Sequence, residues 1–416
     1  MILNHGIVVI GGGPAGMAAA IAAYDAGCRD VVILDREASL GGILMQCIHN
    51  GFGLHKLGRE LTGPEYADTY AKMVAERNIT VYTETMVTSL SPDKVITAQN
   101  KNGILKIKAK AVVLAMGCRE RSRGALNICG TRPAGIYTAG TAQKLVNCMG
   151  YQVGKEAVIL GSGDIGLIMA RRMSLEGAKV KAVCEVMPYS GGLTRNIVQC
   201  LEDFNIPLYL STTVVAIHGQ SRLEGVTIAQ VDAARRPITG TERYIQCDTL
   251  LLSVGLIPEN ELTRMAGLSI DQTTNAAVVD QYCQTEIDGI FACGNVLHVH
   301  DLVDYVSEEA ERAGKAAANY ISGKATDGAK VEIKAGNGVR YVVPQRVSAA
   351  AEDITLFFRV TEPMGKVKLT AKDDTGVLAE AKRMKAAPGE MEKLTIKADR
   401  AAMLKGTVTI SVEVLG

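Results

Sequence analysis

Two glycine motifs with the same spacing to a downstream carboxylate carry the strongest chemical signal in the chain. Residues 11–16 read GGGPAG and residues 161–166 read GSGDIG, and each motif follows an apolar run and opens a helix. An acid, Asp35 or Glu185, stands 19 residues after the last glycine of each motif. One such motif is weak support for a nucleotide site, but two with equal spacing predict that the protein binds two dinucleotides.

Each position in such a motif has a physical task. The first glycine allows a tight turn, the second lets the backbone approach a pyrophosphate, and the third lets helix and strand pack closely. The phosphates then lie at the helix N-terminus, where unpaired N–H groups and the helix dipole favour anions. Pro14 fits the first helical turn because its missing N–H is not needed there. The acid is placed to accept hydrogen bonds from ribose hydroxyls.

The elements that must position these motifs form an internal repeat. In both halves a helix leads from the acid to a matching segment, at 78–82 and 205–209, and alternating strands with turn residues then predict a small antiparallel meander. Both halves end on a hydrophobic strand and a glycine, at 111–117 and 249–255. Each half is therefore predicted to be a Rossmann unit with a β-meander insert.

The halves differ in one segment, residues 39–63, which makes the first half longer. Loops added to a nucleotide-binding scaffold are where specificity and chemistry usually lie. A late block at 287–295 predicts a short strand that ends in Gly294 and Asn295, followed by a helix over about 302–322. We assign this block to the first half, so the first domain is predicted to be discontinuous.

The predicted fold class is α/β, with two Rossmann-like dinucleotide-binding domains, each with a β-meander insert, and a small C-terminal β-sandwich-like domain. The β-type alternation after about residue 330 predicts an antiparallel sandwich with a structural or partner-binding role. The predicted boundaries are 1–124 with 276–328 for the first domain, 125–275 for the second and 330–416 for the C-terminal domain.

Composition excludes several other classes of function. The 416 residues carry a net charge of +1, and Trp is absent, so neither bulk charge nor aromatic stacking favours a nucleic-acid partner. No apolar run is long enough to span a membrane. The ten cysteines are scattered without a CxxC motif, which fits neither a zinc site nor a disulfide framework, so we expect reduced thiols, no bound metal and a cytoplasmic location.

Over residues 1–325 the chain resembles the pyridine nucleotide–disulfide oxidoreductase superfamily, the flavoproteins with two dinucleotide-binding domains. Four motifs in order carry the resemblance: the first glycine motif with Asp35, the strand end at 115–117, the second motif with Glu185, and FACGN at 291–295. The resemblance implies FAD in the first site, NAD(P)H in the second, and hydride transfer between them. The implied cofactor-binding residues are Gly11, Gly13, Pro14, Ala15, Gly16, Asp35, Arg36, Gly41, Gly42, Val87, Ala115, Gly117, Gly161, Gly163, Asp164, Ile165, Gly166, Glu185, Gly255, Gly294 and Asn295.

Within that superfamily the segments at 41–53, 117–121, 130–143 and 293–314 resemble NAD/FAD subunits associated with bacterial glycerol-3-phosphate dehydrogenases and, more distantly, subunits of opine and sarcosine oxidases. This narrower likeness implies a partner redox subunit, and we expect an oligomer. The chain departs from the wider pattern at residues 139–142, which read AGTA where thioredoxin reductases carry a CxxC, and at Asn295, where relatives usually have Asp.

The nicotinamide site favours NAD(H) over NADP(H). The Glu185 carboxylate repels a 2′-phosphate, and the three residues that follow it include no Arg to bind one. Arg195 is the one side chain near enough in sequence to oppose this interpretation.

The candidate catalytic residues are Cys47, His49, His298 and His300. Cys47 lies in the extra segment, where relatives place redox groups beside the flavin. A thiolate there could be oxidised reversibly to a sulfenic acid or form a charge-transfer pair with the flavin. The alternative is a buried, apolar cysteine with a structural role. The three histidines are candidates for a proton donor near the flavin, with a generic metal site or a purely structural role as alternatives.

The function predicted from the sequence is an FAD-dependent oxidoreductase that exchanges hydride with NAD(H) and passes electrons to or from a second redox partner, of the glycerol-3-phosphate dehydrogenase type. The alternatives are a stand-alone NADH oxidase or peroxidase that uses Cys47, and a non-catalytic scaffold subunit with vestigial nucleotide sites.

Overall fold

The computed structural model describes residues 2–324, 330–349 and 351–415, so residues 328 and 329, at the predicted junction with the C-terminal domain, lie outside the described residues. The chain forms two compact units, Met1–Cys118 with Pro258–Gly416, and Arg119–Ile257. The strands in the described residues are β1 (Ile2–Ile10), β2 (Val31–Leu34), β3 (Asn50–Phe52), β4 (Leu61–Thr62), β5 (Thr80–Tyr82), β6 (Met86–Leu90), β7 (Val95–Asn100), β8 (Gly103–Leu114), β9 (Cys118–Glu120), β10 (Cys129–Gly130), β11 (Ile136–Thr138), β12 (Glu156–Leu160), β13 (Lys179–Cys184), β14 (Leu208–Tyr209), β15 (Thr212–His218), β16 (Gly225–Gln230), β17 (Arg243–Gln246), β18 (Thr249–Leu252), β19 (Leu256–Pro258), β20 (Ile270–Asp271), β21 (Ala276–Ala277), β22 (Ile290–Ala292), β23 (Lys330–Ala335), β24 (Val339–Val343), β25 (Arg346–Ser348), β26 (Ile354–Val360), β27 (Val367–Asp373), β28 (Gly376–Arg383), β29 (Glu392–Ile396) and β30 (Val408–Val414).

Helices cover a smaller part of the chain. The α-helices in the described residues are α1 (Pro14–Asp25), α2 (Gly63–Glu76), α3 (Ala139–Asn147), α4 (Asp164–Leu175), α5 (Thr194–Cys200), α6 (Glu261–Met265), α7 (Val303–Ile321) and α8 (Ala398–Ala401). Short 3₁₀ turns occur at Gly42–Gln46, Arg123–Ala125, Glu202–Phe204 and Gly294–Val296. As to membrane insertion, no helix in the described ranges combines the length and apolar character that crossing a bilayer requires.

The first unit is organised by a seven-stranded sheet with the strand order β5-β2-β1-β8-β7-β6, and β22 pairs with β8 as well. The strands β5, β2, β1, β8 and β22 are parallel, as expected for a Rossmann unit. The predicted meander is β6-β7-β8, and it belongs to the same sheet because the long strand β8 pairs with β1 on one side and antiparallel with β7 on the other.

Helix α1 lies unusually close to α7 because half of its residues are alanine. Seven of its residues have only a methyl group or no side chain, and six of these seven are buried. A Cβ atom placed on Gly314 of α7 would overlap the backbone carbonyl oxygen of Ala19, so the two helices meet backbone to backbone. This close packing fixes the N-terminus of α1 against the end of β1, where the first glycine motif lies.

The second unit repeats the plan in two separate sheets. A parallel sheet has the strand order β11-β18-β12-β13-β14, and its strands are the counterparts of the first unit's parallel strands. The predicted meander forms a second sheet, β10-β15-β16-β17, in which β15, β16 and β17 are antiparallel. The meander therefore forms its own sheet here, whereas in the first unit it extends the parallel sheet.

The C-terminal strands form two sheets around a common hydrophobic core. Their strand orders are β25-β23-β30-β27-β28 and β24-β26-β29. The sequence predicts an antiparallel sandwich, and most pairs are antiparallel, but β23 and β30 are parallel. These sheets belong to the same compact unit as the first glycine motif.

Candidate cofactor sites

The first glycine motif forms a cradle whose shape depends on the absence of side chains. A Cβ atom on Gly11 would overlap the carbonyl oxygen of Ala115, and one on Gly16 would overlap the carbonyl oxygen of Gly11. The second motif glycine, Gly13, is different, since a Cβ there would meet no described atom closer than the Cα of Gly42 at 4.0 Å. Gly11 and Gly16 are thus required for packing, while Gly13 borders open space of the kind a pyrophosphate needs.

The carboxylate of Asp35 is buried beside this cradle and holds two backbone groups. One oxygen accepts a short hydrogen bond from Gly12 N–H, and the other accepts one from Glu37 N–H at 2.7 Å. Burial raises the pKa of Asp35, while these two hydrogen bonds oppose the rise. The first unit thus presents a preorganised acid at the predicted ribose position. Beside it, Arg36 is exposed.

Backbone from distant segments closes the first cradle. A Cβ on Gly42 would lie 3.1 Å from the Cα of Gly13, and Gly41 and Gly42 both have positive φ, of 118° and 55°. On the other side, a Cβ on Gly294 would lie 2.7 Å from the Cβ of Ala15, and Gly294 also has positive φ. The structure therefore brings the predicted residues of three segments together around the N-terminus of α1.

The extra segment places Cys47 and His49 on the side of the 3₁₀ turn Gly42–Gln46 that leads into β3. The Cys47 thiol is partly buried and lies 3.3 Å from the carbonyl oxygen of Ile43, to which it donates. His49 lies against Phe52, with ring centroids 5.0 Å apart, and its Nδ1 is 3.0 Å from the Asn50 carbonyl oxygen. Their predicted roles in catalysis stay predictions.

His298 and His300 are brought together in a buried cluster, and their shared partner is Glu309. The Nε2 atoms of the two histidines lie 2.8 and 3.2 Å from the two carboxylate oxygens of Glu309, and all three side chains are about 1% exposed or less. Gly294 N–H donates to the same carboxylate at 2.7 Å. Glu309 was not among the residues predicted from the sequence; the available signal was an acid on the Ala- and Gly-rich face of the predicted helix, which is its buried face.

The environment sets the protonation states of this cluster. Burial, together with the neighbouring His300, lowers the pKa of His298 to about 4, so that its ring is neutral at neutral pH. Burial alone would raise the pKa of Glu309, but the two imidazoles and their hydrogen bonds hold it well below its usual range. An ionised carboxylate only accepts hydrogen bonds, so each histidine donates through Nε2–H.

Acids that follow the histidines hold other parts of the first unit. Asp304, at the start of α7, accepts hydrogen bonds from Lys56 N–H at 2.7 Å and Gly53 N–H at 3.3 Å, so it fixes the extra segment to α7. Asp301 pairs with Arg359 of β26. Both acids thus bond to groups outside the histidine pair.

The second glycine motif forms a cradle of similar shape. A Cβ on Gly161 would overlap the carbonyl oxygen of Ser253, and one on Gly166 would lie 2.7 Å from the carbonyl oxygen of Gly161. Gly163 again borders open space, with only the Ser253 hydroxyl oxygen at 3.7 Å. The buried Glu185 carboxylate accepts hydrogen bonds from Ser162 N–H at 2.9 Å, Ser162 Oγ–H at 2.7 Å and Met187 N–H at 2.9 Å.

Side chains at the second motif also hold the loop that leads into α5. Asp164, the first residue of α4, accepts hydrogen bonds from Leu193 N–H at 2.8 Å and Asn196 Nδ2 at 2.6 Å. Ile165 follows it and is partly buried against the unit's core. This loop leads to Arg195, whose side chain is exposed.

The remaining predicted residues lie at strand ends or in the core. Gly117 and Gly255 both have positive φ, of 71° and 100°, and a Cβ on either would meet open space. The Gly117 carbonyl accepts from Glu259 N–H within the first unit. Val87 is buried in β6 and belongs to the core of the first unit. Both cradles thus fit a dinucleotide, because each presents an open second glycine, a helix N-terminus and a buried acid.

The chain is similar to a known protein family and to several characterised relatives. The family model described as pyridine nucleotide-disulphide oxidoreductase matches residues 5–319. The mitochondrial dihydrolipoyl dehydrogenase of Caenorhabditis elegans is 26% identical over 331 residues, which cover 70% of this chain and 63% of the relative. One of the subunits of the opine oxidase of Agrobacterium tumefaciens is 25% identical over 313 residues, which cover 70% of this chain and 61% of the relative. The matched part thus spans less than two thirds of the length of either relative.

Among solved structures, thioredoxin reductase of T. acidophilum is similar with a TM-score of 0.63 and 25% identity, over 77% of this chain and 99% of that one. The likeness confirms the predicted fold class with two dinucleotide-binding domains. It does not confirm membership of the narrower group of glycerol-3-phosphate dehydrogenase subunits that the sequence motifs resemble.

Proposed function

The chain belongs to the pyridine nucleotide-disulphide oxidoreductase family, whose members bind FAD and NAD(P)H, and on this premise we propose that it exchanges hydride with NAD(H) through FAD and passes electrons to a separate redox subunit. The observation that carries the proposal is the pair of cradles with an open second glycine, Gly13 and Gly163, each beside a buried acid that holds the loop. A scaffold subunit would have no reason to keep both openings.

The residues of each cradle have separate tasks in this reaction. Bound flavin supplies the chemistry that accepts or donates hydride. The N–H groups at the start of α1 would stabilise the cofactor's phosphates, and Asp35 would hold its adenosine ribose. Gly41, Gly42 and the loop with Gly294 and Asn295 bring backbone to the first cradle and would help to hold the same cofactor. At α4 the same tasks fall to the second motif and Glu185.

We propose that the electron acceptor is a separate molecule. Disulfide reductases carry a dithiol in particular segments, and the corresponding segments of this chain contain no pair of cysteines. The extra segment contains Cys47 as its one cysteine, and residues 139–142 read AGTA. A partner protein is also supported by the similarity to the opine oxidase relative, whose name describes it as a subunit. We propose a dehydrogenase of the glycerol-3-phosphate type as that partner, in a cytoplasmic hetero-oligomer.

The proposed preference for NAD(H) over NADP(H) rests on Glu185. Its carboxylate is buried and already accepts three hydrogen bonds, so it is fixed where a 2′-phosphate would be repelled. The exposed Arg195 is the cation that could oppose this preference, so its removal tests the alternative.

An anaerobic titration tests the proposal directly. We expect purified protein supplied with FAD to be yellow, to bleach on addition of one equivalent of NADH, and to require a higher concentration of NADPH for the same effect. Arg195→Ala should leave this preference unchanged. Protein that takes up no FAD, or flavin that NADH does not reduce, contradicts the proposal and favours the scaffold alternative.

Replacement of Cys47 separates external electron transfer from a thiol mechanism. If electrons leave to a partner, Cys47→Ser should reduce dyes with NADH at the wild-type rate, as should the control Cys129→Ser, which changes an exposed thiol in the other unit. A large loss of NADH oxidase or peroxidase turnover in Cys47→Ser alone would instead establish the thiol mechanism. Co-purification from the native host then identifies the partner protein.

A further inference from the structure

The loop between β22 and α7, residues 293–302, is held from two sides by groups that lie outside both glycine motifs. It contains Gly294 and Asn295, the predicted flavin-contact residues, and Gly294 touches Ala15 at the first cradle. From within, the Glu309 carboxylate accepts from Gly294 N–H and from both histidines. His300 N–H in turn donates to Asn295 Oδ1 at 3.1 Å.

The outer side of the loop is held by strand β26 of the C-terminal sheets. The Arg359 guanidinium donates to the Val299 carbonyl oxygen at 3.0 Å and forms an ion pair with Asp301. The same guanidinium donates to the Pro388 carbonyl oxygen at 3.0 Å, and Met391 N–H donates to Asp301 at 2.6 Å. The loop is therefore tied to the C-terminal region by charged and backbone hydrogen bonds together.

Phe357 of the same strand closes the cluster against water. Its ring centroid lies 5.9 Å from that of His298 and 6.0 Å from that of His300. The guanidinium carbon of Arg312, on α7, is 5.9 Å from the Phe357 centroid. The C-terminal region thus covers the histidines directly and excludes water from the carboxylate that positions Gly294.

We propose that Glu309 is a positioning residue for the flavin-contact loop and that the C-terminal β-region, through Arg359 and Phe357, is a structural part of the FAD site. This inference rests on the proposed function, because it concerns the cofactor that the first cradle would hold. It gives the C-terminal strands a task at the redox centre in addition to their own core.

The same three side chains, His298, His300 and Glu309, lie close enough to ligate a cation, but their surroundings favour the hydrogen-bonded arrangement. A metal would bind Nε2 and move each proton to Nδ1, where neither ring has a partner among the described residues. The guanidinium of Arg312 also interacts with Glu309, and a second cation beside it would be repelled.

The test compares Glu309→Gln with Glu308→Gln, the same substitution on the adjacent, exposed residue of α7. In Glu309→Gln the amide N–H₂ must face one of the groups that donate to Glu309, which are Gly294 N–H and the two histidines. Because the loop then loses a charge-assisted hydrogen bond, we expect the FAD dissociation constant to rise about tenfold or more. The loss of a buried negative charge should also move the flavin reduction potential to a more positive value, which a purely structural role would not do. Glu308→Gln should match wild type in both.

The contribution of the C-terminal region is tested by Arg359→Lys, with Arg383→Lys as the control that removes a guanidinium of β28 bonded to Glu392. Lysine cannot bridge Val299 and Asp301, so FAD should bind several-fold more weakly in Arg359→Lys alone. If Glu309→Gln does not fold, this pair decides the proposal.

The outcomes are separable from those of the proposed function. Wild-type protein that binds no FAD refutes the proposed function. Wild-type protein that binds FAD, with equal affinities and potentials in Glu309→Gln and Glu308→Gln, refutes only the positioning role. Equal affinities in Arg359→Lys and Arg383→Lys refute the role of the C-terminal region. Stoichiometric metal in wild-type protein that disappears in Glu309→Gln would replace the hydrogen-bonded cluster by a metal site.

Discussion

Both cradles have carbonyl oxygens against their first and third glycines, but glycine backbone from distant segments closes the first cradle, whereas side chains contribute more of the contacts around the second. Around the first motif, Gly42 and Gly294 bring main chain against Gly13 and Ala15. Around the second motif the neighbours are the Ser253 hydroxyl and the side chains of Ser162 and Asp164, which hold the following loop. The repeat detected in the sequence has thus produced two sites of the same plan but different construction.

The helices that follow the two motifs also differ, in how deeply their residues are buried. In α1 most residues are buried, and α7 packs on it so closely that Gly314 permits no Cβ. In α4 buried and more exposed side chains are interspersed, and Leu175 at its end is 58% exposed. Helix α1 is therefore interior and α4 is an ordinary surface helix.

This difference matches two ways of using a dinucleotide. A cradle made of backbone from three distant segments opens only when those segments separate, which suits a cofactor that stays bound. A cradle held by a few side-chain hydrogen bonds opens at a smaller free-energy change, which suits a substrate that must enter and leave in each turnover. We expect FAD to remain bound through purification and NAD(H) to exchange.

The largest expected effect is the contrast between Gly16→Ala and Gly166→Ala. In Gly16→Ala the new methyl group overlaps a backbone carbonyl that cannot move, so we expect a loss of about 3 kcal/mol or more in unfolding free energy and little bound FAD. In Gly166→Ala the corresponding contact is 2.7 Å, and we expect normal FAD content with weak NADH binding. Thermal unfolding and the ratio of flavin to protein absorbance measure both.

Gly365→Ala is the control, since a Cβ there meets open space and its φ is not positive. Equal loss of FAD in Gly16→Ala and Gly166→Ala would remove the distinction between the two cradles.

The next largest effect is the pH dependence of stability. The first unit contains a buried neutral histidine, and the described residues of the second unit include none. The pKa of His298 is lowered from 6.5 to about 4 in the folded state, so below about pH 6.5 the unfolded chain binds a proton that the folded chain refuses. The free energy of unfolding should therefore fall as pH decreases, by about 3 kcal/mol in all by about pH 4. Above about pH 6.5 the residue has no effect on the pH dependence.

Denaturant unfolding between about pH 5 and pH 7 measures this change in unfolding free energy, because carboxyl groups with ordinary pKa values titrate mostly below that range. His298→Gln should flatten the dependence, and His218→Gln, at an exposed histidine of the second unit, should keep it. An unchanged slope in His298→Gln would show that folding does not lower the pKa of this imidazole.

The two glycine motifs and their acids could be predicted from the sequence because the physical requirements of such a cradle are local. A tight turn, an open second glycine and a strand-end acid all lie within about 25 residues, so spacing alone finds Gly11–Gly16 with Asp35 and the second motif with Glu185. Helix α7 was predicted at 302–322 and runs from Val303 to Ile321, because its Ala and Gly face is periodic.

Long-range partners could not be predicted in the same way. Glu309 reaches back to Gly294, and Arg359 reaches Asp301 from strand β26, and neither pairing has a fixed spacing. Asp301, in the turn before α7, instead pairs with Arg359, and Asp304, in the first turn of α7, accepts from Lys56 N–H. The parallel pairing of β23 with β30 is likewise a tertiary choice that alternation of side chains does not encode.

A smaller effect is expected at the acid of the second cradle. In Glu185→Gln the amide N–H₂ must face either Ser162 N–H or Met187 N–H, so the loop loses one charge-assisted bond and we expect the KM for NADH to rise about tenfold. The FAD content and kcat at saturating NADH should not change. Glu202→Gln, at an exposed acid of the same unit, is the control. Steady-state kinetics with NADH and NADPH measure KM and kcat, and a fall in kcat would contradict an effect confined to the nicotinamide site.

The smallest effect, and the sharpest test of the comparison, is an exchange at the second motif position. Ser162→Gly removes a hydroxyl that donates to Glu185 at 2.7 Å and accepts from Gly191 N–H at 3.2 Å, so the KM for NADH should rise about fivefold, with FAD unaffected. The reverse exchange, Gly12→Ser, should be far more damaging, because its Cβ would lie 2.7 Å from the Asp35 carboxylate in a space that neighbouring atoms already fill. Measured FAD content and NADH kinetics of the two variants should therefore be strongly asymmetric. Equal, small effects would mean that the first cradle can yield as the second does, and that tight retention of FAD must have a cause other than its backbone construction.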